Sequence, residues 1–271
     1  LSSDNSTVII SGNTVTLPAE FKDNTELDGI KIYATVNGQT AFYPLMIKKW
    51  TLTLQDDFDG DKLNNEIWGN SSDSADCISV NGGKLTMKIR TDENGKEYDP
   101  YITTRNKFSQ QYGCFTARML MPQTTETSVS AFWLLPSNYN KNWGTSYLFE
   151  GTNLSCGEVD IIEYPSDWNG EAQSALQWWD PTNISGSHSA TSQKYKYDKL
   201  KNGEYIDVTG VWTADAVYFY YDGILQGSIT NISATGEKAC MILSMSTWSG
   251  EFNPEAVDSL YCTVDYVKAY K

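Results

Sequence analysis

Hydrophobic and polar residues alternate over short runs through most of this chain, and turn residues punctuate the runs. Thr7-Val8-Ile9-Ile10 and Thr14-Val15-Thr16-Leu17 flank Ser11-Gly12-Asn13, and Ile30–Val36 meets Asn37-Gly38, a strong hairpin signal. Trp50–Gln55, Lys84–Arg90, Phe115–Met121, Ser174–Trp179, Val217–Tyr221 and Ala239–Met245 also read as strands, with turns at Asn81-Gly82-Gly83, Asn94-Gly95 and Asp222-Gly223. No long stretch shows the 3.6-residue period of a helix. Many short strands at regular spacing predict an all-β chain folded as a two-sheet β-sandwich. Residues 1–46 read as a short β-rich appendage, because so short a piece makes a marginal core of its own, and residues 47–271 as the main domain.

Composition narrows the functions available to such a sandwich. At 271 residues the length suits one large domain with an appendage. Nine Trp and 17 Tyr would stack on sugar rings or, equally, fill a sandwich core. A formal net charge of −14 argues against nucleic acid and anionic membranes as partners. It also disfavours polyanionic polysaccharides unless the cleft is locally basic. No apolar run reaches membrane-spanning length. Cys77, Cys114, Cys156, Cys240 and Cys262 show no metal-ligand spacing, and several lie inside predicted strands as buried thiols. A disulfide between Cys240 and Cys262 is left open.

The chemistry concentrates in Cys156-Gly157-Glu158-Val159-Asp160-Ile161-Ile162-Glu163-Tyr164. β-Branched residues favour a strand, whose side chains alternate faces, so Glu158 and Asp160 share one face and Val159 and Ile161 the other. Glu163 is an odd number of residues after Glu158, and a regular strand turns it to the wrong side. One extra residue at Ile161-Ile162, a β-bulge, restores it to the carboxylate face. Glu158 and Glu163 would then stand four effective positions apart, roughly 13 Å between Cα atoms. Two Glu side chains leaning together can close that to the ~5 Å of a retaining glycosidase pair. A solvated acidic face on an edge strand is the alternative reading of the same residues.

Glu158-Val-Asp160-Ile-Ile-Glu163 resembles the E-x-D-x-x-E signature of glycoside hydrolase family 16 in its bulge-containing form. Ala131–Pro136 resembles the strand before the catalytic one, Tyr112–Met119 the family's "YG-F-AR" strand, Asp56–Gly60 the start of its catalytic module, and Val264–Tyr270 its last strand. These matches fall in family order over most of the chain. The resemblance implies a jelly roll whose concave face carries a substrate cleft. It also implies a retaining endo-β-glycosidase with Glu158 as nucleophile, Glu163 as acid/base, and Asp160 orienting the nucleophile between them. No cofactor is implied for catalysis.

By the same resemblance Trp133, Gln177, Trp179 and Trp248 line the cleft. Arg105 joins them as a candidate substrate contact two residues beyond Thr103, and His188 is expected near the cleft rim. Residues 139–155 form a candidate cleft-wall loop. Asp57 and Asp265 correspond to carboxylates that hold a structural calcium in family members. The expected substrate is a neutral β-linked glucan containing 1,3 linkages, cleaved by an endo-β-1,3(4)-glucanase of laminarinase type. The alternatives are an endo-β-galactosidase acting on galactan or mucin-type host O-glycans, and a non-catalytic carbohydrate-binding jelly roll. A polymeric substrate implies a secreted or cell-surface protein, expected to act as a monomer.

Overall fold

The computed structural model describes residues 1–4, 8–12, 14–16, 30–45, 50–70, 72–123, 128–138, 149–150, 155–179, 188–230, 232–234, 237–247 and 260–271. The chain divides into two compact units, Leu1–Thr51 and Leu52–Lys271. In the first, Ile30–Val36 and Gln39–Leu45 pair as a hairpin across Asn37 and Gly38, with φ of 51° and 78°. Two consecutive positive φ angles give the turn a twist matching that of the strands, which is why Asn-Gly predicts it. Ser2–Ser3 adds to this hairpin, and Ile9–Ser11 pairs with Thr14–Thr16.

The second unit is an antiparallel sandwich. Its strands, in chain order, begin with β1 (Leu52–Asp56), β2 (Gly69–Asn70), β3 (Ile78–Val80), β4 (Leu85–Lys88) and β5 (Tyr101–Thr103). There follow β6 (Gly113–Leu120), β7 (Val129–Pro136), β8 (Ser155–Pro165), β9 (Glu171–Trp179) and β10 (His188–Lys196). The last are β11 (Ile206–Trp212), β12 (Ala216–Tyr221), β13 (Ile224–Thr230), β14 (Ala239–Ser246) and β15 (Tyr261–Tyr270). One sheet runs β10-β9-β8-β7-β14-β5-β2 and carries the acidic strand β8 near its centre. The other runs β13-β12-β11-β6-β15-β4-β3, with β1 pairing the C-terminal part of β15. The two-sheet sandwich expected from the alternation is the fold observed.

The two sheets bury one core between them. From β6 and β11, Phe115, Ala117, Met119, Ile206 and Val208 point inward and are fully buried, while their neighbours Thr116, Arg118, Asp207 and Thr209 are half-exposed. From the acidic sheet, Phe132, Leu134, Val159, Leu176, Met241 and Leu243 meet them. Burying each large side chain contributes about 1.5–3 kcal/mol, before the chain entropy that opposes it. On the acidic sheet's opposite face lies a smaller cluster of Leu135, Cys240 and Ile242, with Tyr101 and Trp133 against it. This sheet is therefore covered on both faces over β7 and β14, and those strands read as nearly continuous apolar runs. Cys240 sits in that small cluster and Cys262 in the core between the sheets, so the two remain free thiols rather than a disulfide.

Glycine allows two close approaches between the sheets. At Gly210 on β11 a Cβ would lie 2.7 Å from Cγ1 of Ile161, and at Gly227 on β13 one would lie 2.4 Å from the Tyr195 hydroxyl. The first lets Ile161 of β8 reach the facing sheet. The second lets the edge strands β10 and β13 close on each other, where Gln193 Nε2 donates to the Ser228 carbonyl at 3.0 Å.

Candidate active site

The bulge inferred from the spacing of the acids is present. Against β7, Trp133 pairs with Asp160 and Phe132 with Ile162, so Ile161 has no partner. Against β9, Asp160 pairs with Ala175 and Glu163 with Gln173, leaving Ser174 opposite both isoleucines. A bulge frees backbone polar groups that must find other partners. Here Ser174 Oγ donates to the Ile161 carbonyl at 2.7 Å, a hydrogen bond that is fully buried. Ile161 and Ile162 are both in the core. Glu158, Asp160 and Glu163 therefore share the face opposite Val159.

Amides are the side-chain donors that reach these carboxyls. Gln177, directly across from Glu158, donates from Nε2 to Glu158 Oε1 at 2.8 Å and to Asp160 Oδ2 at 2.5 Å. Gln173, directly across from Glu163, donates to its Oε2 at 2.7 Å. Among the described residues, no lysine, arginine or histidine forms an ion pair with any of the three acids. Glu158 and Asp160 are only 7% and 2% exposed. Burial, followed by the negative charges of Asp160 and Glu163, holds the Glu158 carboxyl well above the usual carboxylate range. Burial and the charge of Glu163 raise Asp160 likewise, against the opposing hydrogen bonds from Gln177 and Glu158. Burial also raises Glu163, and the Gln173 amide works against it. The hydrogen bond between Glu158 and Asp160 requires a proton between them, so they titrate as a pair. Such a set can offer a carboxylate and a carboxylic acid side by side at neutral pH.

The other residues singled out in the sequence fall into three groups. Trp133 lies on the face of the acids, directly across from Asp160, with Nε1 donating to Ser244 Oγ at 3.1 Å and its ring edge-on to Tyr101. Gln177 is engaged by Glu158 and Asp160 as described, so its amide holds carboxyls. Trp179 occupies the last position of β9, paired with Ser155 and His188. Arg105 lies in the turn after β5, which ends at Thr103, rather than on the strand itself, so strand alternation does not fix its face. Its charge still reaches Cys240, whose thiol it lowers against the larger effect of burial. Trp248 and most of the 139–155 loop lie outside the described residues.

Asp57 and Asp265 do not fit a shared calcium. Asp265 is the residue left over where β15 slips against β6, and its carboxylate meets Arg118 Nε and Lys84 Nζ, both at 3.4 Å. Asp57 instead meets Lys268 Nζ at 3.9 Å and accepts a hydrogen bond from Gln55. Calcium takes 6–8 oxygen ligands, whereas each of these carboxylates is answered by cations. Gln173 and Ser174 were not among the residues the sequence singled out. For Gln173 a signal lies in the spacing: Gln173 and Gln177 stand four apart on β9, matching the four effective positions between Glu163 and Glu158.

The family model for glycosyl hydrolases family 16 matches residues 65–268. No curated protein matches the chain significantly. Among solved structures, a laminarinase from Flavobacterium sp. UMI-01 superposes with a TM-score of 0.66 at 22% identity, covering 82% of this chain and 100% of that one. A GlcNAcα1-4Gal-releasing endo-β-galactosidase from Clostridium perfringens gives 0.65 at 20% identity, covering 84% and 64%. A laminarinase from Rhodothermus marinus gives 0.66 at 20%, covering 82% and 98%. At these identities the structures share the fold.

Proposed function

The chain belongs to glycosyl hydrolase family 16, and on that footing we propose that Glu158, Asp160 and Glu163 perform retaining, endo-acting cleavage of a β-linked polysaccharide. The observation that carries the assignment is the placement of three carboxyls on one face of a bulged central strand, held by amides. In the first step the Glu158 carboxylate attacks the anomeric carbon while Glu163 gives its proton to the departing glycosidic oxygen, leaving a covalent glycosyl-enzyme. In the second, the Glu163 carboxylate takes a proton from water, whose oxygen attacks the same carbon and releases Glu158. Two inversions give net retention. Asp160 holds the proton it shares with Glu158, so that Glu158 attacks as the carboxylate, and the hydrogen bond that orients the nucleophile weakens as its charge is spent in the new C–O bond. No metal or organic cofactor enters either step.

The substrate that best suits the chain is a neutral β-glucan containing 1,3 linkages. The net charge of −14 opposes polyanions, and among the described residues no cation pairs with the acids of the site. An endo-β-galactosidase reading stands next to it, favoured by Gln177, near which many laminarinase-like members carry histidine. This reading takes the chain to act as a monomer on a polymer outside the cell. The test is product release from laminarin, mixed-linkage β-glucan, β-galactans and mucin-type glycans. Glucose oligosaccharides from the first two support the glucanase, galactose-containing products alone move the chain to the galactosidase reading, and binding without hydrolysis of any of them overturns catalysis.

A further inference from the structure

We infer that Gln173 is a positioning residue for the general acid: its amide claims one oxygen of Glu163 and leaves the other to carry the catalytic proton. The inference rests on the acid/base reading of Glu163 given above. Glu163 sits opposite Gln173 on one side and opposite Ala131 on the other, so β7 supplies no polar group at this row. From its own strand it faces Asp160 and Glu158, both acids. From β10 the nearest cation is Lys194, opposite Gln173, but its Nζ lies 3.6 Å over the Trp168 ring and 3.8 Å from Glu171 Oε1. Among the described residues, Gln173 thus supplies the side-chain donor to Glu163, at 2.7 Å.

The chemistry follows from what an amide N–H can do. It donates to a bare carboxyl oxygen and not to one already bearing the proton, so with Nε2 on Oε2 the proton is directed to Oε1. The same bond favours the ionised form needed when Glu163 later acts as base. A neutral amide does this without titrating, so it contributes no protonation step of its own. Nothing in the local sequence around Gln173 marks the role; it arises from pairing across the bulge.

The experiment compares Gln173→Ala, the near-isosteric Gln173→Glu and the donor-restoring Gln173→His. Each is assayed on the polymer selected by the panel and on an oligosaccharide of the same sugar with a dinitrophenolate leaving group. The dinitrophenyl substrate departs without acid assistance, so positioning of the proton matters only for the polymer. Gln173→Ala and Gln173→Glu are expected to lower kcat/KM on the polymer about 10–100-fold, a part of the ~10²–10⁴-fold worth of a general acid. The glycosylation rate on the dinitrophenyl substrate is expected to change less than about threefold, and Gln173→His to recover most of the loss. The alkaline limb of kcat/KM moves to higher pH in the first two variants, because the ionised form has lost its donor. Equal losses on both substrates, an unmoved alkaline limb, or full polymer activity in Gln173→Glu each overturn the inference. Glu163→Ala with azide serves as the control. A β-glycosyl azide product upholds the acid/base reading independently, and its absence locates the failure there rather than at Gln173.

Discussion

Asp160 on β8 and Asp222 at the β12–β13 turn are two carboxylates of one sandwich, one per sheet, and they are answered in opposite ways. Asp222 accepts from the Asp207 backbone N–H at 2.9 Å and the Tyr197 hydroxyl at 2.8 Å, and meets Lys199 Nζ at 2.8 Å. Burial pushes its carboxyl up, but these three donors overcome that and hold it below the usual range. Asp160 has deeper burial, two acids for neighbours and one glutamine amide, and is held well above it. Strand alternation places the acids of β8, whereas a turn brings Asp222 to Tyr197 and to Lys199 of a short helical turn; the partners decide whether a charge is settled or left reactive. Chemistry sits where the acids lack cations.

Four substitutions would break or sharpen that contrast, and the largest effect belongs to the nucleophile. Glu158→Gln is expected to lower kcat on the polymer about 10³-fold or more with an unchanged fold by circular dichroism. An unaltered hydrolysis rate would refute its assignment. Next comes Gly210→Ala, which places a methyl 2.7 Å from Ile161 Cγ1 and so carries a change in the second sheet into the bulge. Overpacking of this kind costs about 1–3 kcal/mol, so thermal unfolding should fall by roughly 2–4 °C per kcal/mol, with kcat falling too. A wild-type midpoint would show that the contact relaxes freely.

The remaining pair differ in sign. Asp160 has a raised folded pKa, so its neutral form supports the fold below the unfolded value near 3.9, and that support is lost as pH rises. Asp160→Asn should therefore raise the unfolding midpoint at pH 7 by about 2–8 °C, with the gain shrinking toward pH 3. Asp222 has a lowered folded pKa, and its contribution is present above the unfolded value and lost on acidification. Asp222→Asn should lower the midpoint at pH 7 by about 2–4 °C, and this difference too should vanish in acid. Shifts of the same sign in both variants would dissolve the contrast.

The fold and the acids were legible because both are local patterns. Alternation along Phe115–Met121 marks a half-buried strand, and three acids among Val and Ile mark both the face and the irregularity at Ile161-Ile162. What escaped depends on pairing between distant segments. Asp265 was singled out through the family resemblance, and nothing beside it in sequence announces its partners Arg118 and Lys84, more than a hundred residues upstream. Arg105 was placed by extending a strand that stops at Thr103. Gln173 was legible in principle, since folding β9 back on β8 with the bulge included brings it to Glu163, but only once the register of that hairpin is fixed.

The bulge has a consequence for how this strand can change length. In a regular central strand, losing one residue reverses the parity of everything beyond it and turns the active face into the core. Ile161 is the supernumerary residue, so its loss would leave Glu158, Asp160 and Glu163 at even spacing, still in phase with one another and with Gln177 and Gln173. What would vanish is the side chain resting on Gly210, a space that a larger residue at 210 is placed to refill. A one-residue shortening at Ile161 would thus keep the acids in phase, because there the count of residues and the count of faces are independent.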